Sequence, residues 1–446
     1  EVTSIVEFPN ALLASFAPEF LEVPAEALIE AMQVHQKCFA LKDKHDSLQP
    51  YFITVANILS HQPQQVVAGN EKVMRARLSD AAFFFHQDKK QPLASHYQQT
   101  AQVVFEAKLG SLQEKSNRVA VFLEALSNPL QLDVKEGLRA AYLSKCDLMT
   151  GMVGEFPELQ GTMGFYYASH DGESQSVARA LQEQYLPRFA KDELPQSNLG
   201  RALSLADRMD TLVGIFAIGK KPTGVKDPFK LRRHALAIVR LLVSMPTSLK
   251  VSTLINQSLQ TYQGQFNGVE NTVADLKSFI LDRMQSFYQG QGVGLDVIQA
   301  VKAREDDWLF DADKRMKALQ SFILLPEAAS LSQACKRVNN ILNHAAFAKD
   351  NKTVRDDLLQ EPAEKALFVK MQDIAETIRP LYSKGDYAAI LCTVATIKTP
   401  VDAFFNEVMV MVDDLSLKEN RLSLLVELQA LLQGVADISR LTSIHA

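Results

Sequence analysis

The sequence predicts a mainly α protein that opens with a small α+β unit. Three observations lead there. Two runs that read as strands, 36–41 and the β-branched and aromatic 51–57, fall within the first 60 or so of 446 positions. From about residue 98 onward, apolar residues recur with the 3.6-residue period of amphipathic helices. Glycine and proline punctuate those stretches at intervals that suit helix ends. The length suits about two to four domains. Apolar residues make up 47% and charged residues 22%, the balance of an ordinary globular chain.

In residues 1–97, Pro24 stands near the start of an expected helix over 25–32. Strands at 36–41 and 51–57 flank a polar turn at 46–50 and are expected to pair. A helix over 69–87 begins at Gly69-Asn70-Glu71. Within and after it Arg75, Arg77, Lys89 and Lys90 surround Phe83-Phe84-Phe85. That mixture reads either as a buried Phe face with solvated cations or as a surface for RNA or another subunit.

Residues 98–245 read as a helical domain. Its first helix starts near Asn117 and carries Val119, Phe122, Leu123 and Leu126 on one face. A second, over 140–148, ends in Asp147, and a third, over 203–216, carries Asp207 and Asp210. Gly151, Gly154, Gly161, Gly164 and Gly172 break the stretch between the second and the third. After a loop at 219–224, Pro228-Phe229 is expected to open a long apolar helix through 243, with Lys230, Arg232 and Arg233 in its first two turns. Residues 246–330 read as a helical linker domain broken at Pro246, Gly264, Gly268, 290–294 and Pro326. Residues 331–446 read as a helical bundle with helices at 330–345, 364–378 and 386–395. A further helix, capped by Thr399-Pro400, runs to 412, and the last spans 417–438.

Charge and motifs narrow the function. The net charge is −5, so there is no whole-protein basic signature, and any nucleic-acid contact must come from local patches. No apolar run reaches the roughly 20 residues that span a bilayer, and no membrane partner is expected. Cys38, Cys146, Cys335 and Cys392 are scattered with no Cys-x-x-Cys pair, which suits a reducing, cytoplasmic location. The chain opens on Glu1-Val2-Thr3-Ser4 rather than Met, as a fragment of a longer protein or a processed chain would. Dinucleotide, P-loop and nucleophile-elbow signatures are missing, and so is a synthetase sheet with ATP-binding arginines. No catalytic residue is assigned.

The three central helices resemble the frame of HD-type metal phosphohydrolases. Those enzymes hold metal with a His on the first helix, a His-Asp pair ending the second and a distant Asp on a later one. The matching positions are Ser116 or Asn117, then Cys146-Asp147, then Asp207, separated by about 29 and about 60 residues. Both aspartates are present and neither histidine is. Two carboxylates hold Mg²⁺ only weakly through waters, far from the tight site that activates a water. We therefore expect a degenerate frame with no metal. A working HD-type phosphohydrolase or nucleotide-binding domain is the alternative. His170-Asp171 is a literal His-Asp pair, but its polar surroundings suggest a cap for the helix holding Val177, Ala180 and Leu181.

The basic segments are the stronger lead. Lys220, Lys221, Lys226, Lys230, Arg232 and Arg233 gather around the expected start of a helix, where free N–H groups favour phosphate. On the C-terminal bundle, Lys336, Arg337, Lys370 and Arg421, with Lys365, Arg379 and Lys418, are spread along a surface that can follow an RNA backbone.

Six separated stretches carry a resemblance that covers essentially the whole chain. They are 69–81 (Gly69-Asn70-Glu71 onward), 143–150 (Leu143-Ser144-Lys145-Cys146-Asp147) and 155–161 (Glu155-Phe156-Pro157). The others are 206–212 (Ala206-Asp207-Arg208-Met209-Asp210), 226–233 (Lys226-Asp227-Pro228-Phe229) and 401–411 (Val401-Asp402-Ala403-Phe404). The chain resembles the beta subunit of the bacterial heterotetrameric glycyl-tRNA synthetase. The resemblance implies a degenerate HD-like domain and a C-terminal bundle similar to the DALR-type anticodon-binding domain. It implies a non-catalytic role in recognising tRNA(Gly) beside an alpha subunit that carries the active site, with ATP and Mg used there and no cofactor on this chain. It also implies an assembly of two alpha and two beta chains.

Overall fold

The computed structural model describes residues 2–262, 264–266, 270–345 and 353–442; the break read at Gly268 lies outside them. The chain is mainly α and forms two compact units. The first holds the described residues up to Ile238 and from Ile255 to Thr272. The second holds Val239–Leu254 and the described residues from Val273 onward. The sequence boundaries drawn at 97 and 330 fall inside these units, and the one at 245 falls a little past the first crossover.

In the first unit, β1 (Asn10–Ser15), β2 (Phe39–Lys42) and β3 (Leu48–Ala56) form an antiparallel sheet in the order β1-β3-β2. Sequence reasoning found β2 and β3 and overlooked β1. Leu13 pairs with Ile53 and Ser15 with Tyr51. Strand alternation therefore turns Ala14, Phe52 and Thr54 inward and leaves Leu13, Phe39 and Tyr51 on the open side, 60%, 45% and 45% exposed. Helix Pro63–Asp88 covers the inner face with Met74, Leu78, Ala81 and Phe85, spaced alternately four and three residues apart. It begins before the expected Gly69 because Pro63 suits a first helical position. The Asn70-Glu71 pair ties the helix to the sheet. The Glu71 carboxylate accepts from the Ser15 N–H and Oγ at 2.8 Å, and Asn70 Oδ1 accepts from Thr54 Oγ1 at 3.3 Å.

The core of the first unit is built around helix Asn198–Ala217. From Leu199 to Phe216 every residue except Arg201 is buried, as befits a helix enclosed on all sides. Helix Leu112–Leu130 packs against it and starts earlier than Asn117. Ser111 and Glu114 form a reciprocal capping box that fixes its first turn. Helix Val134–Leu143 follows, and a 3₁₀ turn, Cys146–Met149, carries Cys146 and Asp147. Gly161, at φ 81°, opens helix Thr162–His170.

Several expected ends are corrected. Helix Leu231–Ser244 begins after Pro228-Phe229, because Lys230 adopts φ 54° and breaks the helical path. Ser174, not Asp171, caps the helix that holds Val177; Asp171 Oδ2 instead accepts from the Leu93 N–H at 2.6 Å. In the second unit, helix Lys398–Glu407 already contains Thr399 and stops well short of 412. The last helix is Leu415–Gln433, started by the Asp414 carboxylate.

Around these run helices Glu270–Gln289, Leu295–Lys302, Leu309–Phe322, Ala328–His344, Pro362–Lys384 and Tyr387–Ala395. Among the described residues, no single helix is long and apolar enough to cross a membrane. The bent pair Tyr387–Ala395 and Lys398–Glu407 passes on length and composition, yet it packs Ile390, Leu391, Val394 and Phe404 into the bundle.

Candidate functional site

The degenerate HD positions lie in the centre of the first unit, and two lysines stand among them. Lys145 Nζ lies 2.9 Å from Asp207 Oδ1 and donates to Gln184 Oε1 at 2.8 Å. Lys115 Nζ lies 3.4 Å from the same carboxylate and 3.1 Å from Asp210 Oδ2. It also donates to the Asp207 carbonyl at 2.9 Å and to Thr211 Oγ1 at 2.8 Å. Arg118 Nε donates to Asp210 Oδ1 at 2.6 Å, with its guanidinium over the Tyr262 ring. Gly214 has no Cβ to block the Tyr262 hydroxyl, which donates to the Asp210 carbonyl at 2.9 Å. Arg208 donates to the Gln184, Tyr185 and Pro187 carbonyls.

This environment sets the charges. Burial pushes the Asp207 carboxyl up, but Lys115, Lys145 and Arg208 outweigh it and hold the group well below the usual carboxylate range. Burial lowers the Lys145 amine, against the opposing pull of Asp207. Asp147 differs. Burial raises it to about 6, although the Gly161 N–H and Lys145 both pull down. Its Oδ2 accepts from Gly161 N–H at 2.5 Å, while Oδ1 has no hydrogen-bond partner among the described residues. The Cys146 thiol is buried and pushed up to about 12 by desolvation. Such a thiol stays protonated and is a poor metal ligand.

The four HD positions are therefore only partly gathered. Asp147 and Asp207 both flank Lys145, and Cys146 is buried beside them. Asn117 faces outward, accepting from the Tyr97 hydroxyl at 2.5 Å. Ser116 is the residue that faces inward, 3.5 Å from Ser144 Oγ. No group of three or more His, Cys, Asp or Glu among the described residues is placed to hold a metal. The donor set does not fit a metal site: lysine amines already pair with the Asp207 and Asp210 carboxylates.

The basic loop is exposed at Lys220, Lys221, Lys226, Lys230 and Arg233 and half-buried at Arg232. The phosphate site expected at the following helix start is already filled. Asp227 takes the Leu231 N–H at 2.8 Å and the Arg232 N–H at 3.0 Å. Arg232 donates to the Gly224 carbonyl at 2.7 Å, and Lys220 pairs with the buried Glu106. The cations remain, but the free N–H groups do not.

On the bundle, Arg421 is corrected. It is 6% exposed and forms an ion pair with Glu364, itself fully buried, while donating to the Met409 carbonyl at 2.8 Å. An arginine so enclosed cannot meet RNA. Lys370 pairs with Asp373 on helix Pro362–Lys384. Lys336 and Arg337 do converge on one feature, a groove of about 530 Å³ along helix Ala328–His344. Gln333, Asn340, Ile341, His344 and Met411 complete its lining. Arg337 sits over the Phe405 ring at 4.4 Å, and Lys336 donates to the Leu441 carbonyl at 3.3 Å. The six helical residues recur every three or four positions, opposite a buried stripe of Leu331, Ala334, Cys335, Val338 and Leu342. That polar stripe was available in the sequence and was overlooked because only its cations were counted. Lys115 and Lys145 were overlooked for another reason: nothing local marks a lysine as buried.

Comparison with known proteins agrees with this arrangement. Residues 1–303 match the family model described as glycyl-tRNA synthetase beta subunit, and residues 331–438 match the DALR anticodon binding domain. The chain is 50% identical over 439 residues to the glycine–tRNA ligase beta subunit of Acinetobacter baylyi, covering 98% of this chain and 63% of that protein. The corresponding proteins of Psychromonas ingrahamii and Marinobacter nauticus are 46% and 45% identical, with 64% and 63% of their lengths covered. The chain thus spans under two thirds of these relatives. On the match over residues 1–303, it belongs to the glycyl-tRNA synthetase beta-subunit family.

Proposed function

We propose that this chain is a non-catalytic tRNA-recognition part of glycyl-tRNA synthetase. It supports ATP-dependent glycylation of tRNA(Gly) by an alpha subunit that holds the ATP and Mg, within an assembly of two alpha and two beta chains in the cytoplasm. The observation that carries the reading is the groove on helix Ala328–His344. It lies in the stretch that matches the anticodon binding model and lines one wall with cations and amides. The lysine-filled centre supports the absence of hydrolytic chemistry, since amines take the space a metal-bound water needs. The exposed cations of the 220–233 loop supply a second, sequence-independent attraction for the RNA backbone.

The test is filter binding of the 446-residue chain to tRNA(Gly) and to a non-cognate tRNA over a range of salt. Tighter binding of tRNA(Gly), with affinity falling as salt rises, is expected. Equal affinity for both RNAs refutes recognition by this chain. Phosphatase turnover with Mn²⁺ that is lost in Asp147→Ala and Asp207→Ala would revive the hydrolase reading.

A further inference from the structure

We propose that the groove along helix Ala328–His344 holds one unstacked RNA base, read along its edge by the Gln333 and Asn340 side chains. This rests on the tRNA-binding reading and adds to it the class of contact and the residues that discriminate.

Two amides lie on the same stripe of one rigid helix, and both side chains are exposed. An amide presents a donor and an acceptor together, the pattern that pairs with a base edge. The floor is apolar, made by Ile341 and Met411, with Met411 48% exposed. A flat aromatic base suits such a floor, and a thioether packs well against it. Arg337 is held over Phe405, which fixes the plane of its guanidinium at the groove's edge. Lys336 adds positive charge for the flanking phosphates, and no lining residue among those described is acidic.

The other sizeable groove of the bundle is a useful contrast. It is mostly apolar, and its lining holds both Arg379 and Glu427, so it carries no net positive charge to draw phosphate. A duplex fits the first groove poorly, because paired bases hide the edges that the amides would read. A single strand with a base turned out fits it.

The experiment measures binding of the chain to tRNA(Gly) transcripts that each carry one base change in the anticodon loop. The protein is wild type, Gln333→Ala, Asn340→Ala or Lys336→Ala. Wild type is expected to discriminate at one loop position by about 5- to 150-fold. Gln333→Ala and Asn340→Ala should lose that discrimination at that position alone. Lys336→Ala should weaken all transcripts alike and lower the salt slope. All three side chains are exposed, and circular dichroism would verify the fold. If wild type prefers tRNA(Gly) over a non-cognate tRNA but both amide variants keep its full base discrimination, the base-reading proposal fails while tRNA recognition stands. Failure to prefer tRNA(Gly) at all removes both.

Discussion

Replacing Asp207 with asparagine deletes the carboxylate shared by Lys115 and Lys145 while keeping its shape. At an effective dielectric of ~20, unit charges at the observed 2.9 Å attract by about 6 kcal/mol. Desolvation offsets much of that attraction, but deleting one partner leaves the other amine buried and uncompensated. Such losses run to about 3–5 kcal/mol, against a total stability of roughly 5–15 kcal/mol for a folded domain. Asp207→Asn should therefore destabilise the first unit by about that amount. If Asp207 were instead an unfilled metal ligand, removing its charge would relieve repulsion, and the variant would be neutral or more stable. The sign separates the two roles. Urea denaturation monitored by circular dichroism reads it, and the double variant Asp207→Asn, Lys145→Met should recover part of the loss through coupling between the sites. A change under about 1 kcal/mol in the single variant, or no recovery in the double, would refute the counter-ion role.

Three further outcomes rest on the same geometry. Asp147 has its carboxyl raised from 3.8 to about 6, so its protonated form favours folding, and that contribution is lost as pH rises through this window. Asp147→Asn should gain on wild type by about 1.4 kcal/mol between pH 5 and pH 8, roughly half of the ~3 kcal/mol that the full shift is worth, whereas the Asp207→Asn loss should stay level across that range; equal pH profiles would contradict the assignment. Arg421→Met should cost about 3–5 kcal/mol by stranding buried Glu364, measured by thermal melting, while leaving tRNA affinity of the folded protein unchanged. Lys226→Glu and Arg233→Glu, both exposed, should lower the slope of log affinity against log salt by about 1 for each phosphate no longer neutralised; unchanged slopes would remove the 220–233 loop from the RNA surface.

What the sequence made legible was periodicity. Helix Asn198–Ala217 and the strand pair at β2 and β3 were plain because their patterns are local. Misplaced ends came from side-chain capping that competes with apolar pattern. Glu114 with Ser111 moved one helix start before Asn117, and positive φ at Lys230 moved another past Pro228. The harder failures were about charge. Arg421 and Arg337 look alike in sequence, each beside a leucine or lysine on an amphipathic helix, yet one is sealed against Glu364 and the other lies along a groove. Only tertiary neighbours separate them, because a cation is buried when a carboxylate from elsewhere in the chain meets it.

The same logic explains how the three central helices hold together at their carboxylates. In a metal site the cation holds carboxylates from separate helices together and offsets their repulsion. Here Lys145, beside the Cys146-Asp147 pair, and Lys115, from the first helix, reach the third helix at Asp207 and Asp210. The amines bridge the three helices with positive charge supplied by the chain itself. A divalent ion binding Asp207 would have to displace Lys145 Nζ from 2.9 Å and take its place beside Lys115. Both the occupied volume and the like charge oppose it. The frame is left free to act as the rigid base of its unit, which carries the basic loop at its surface.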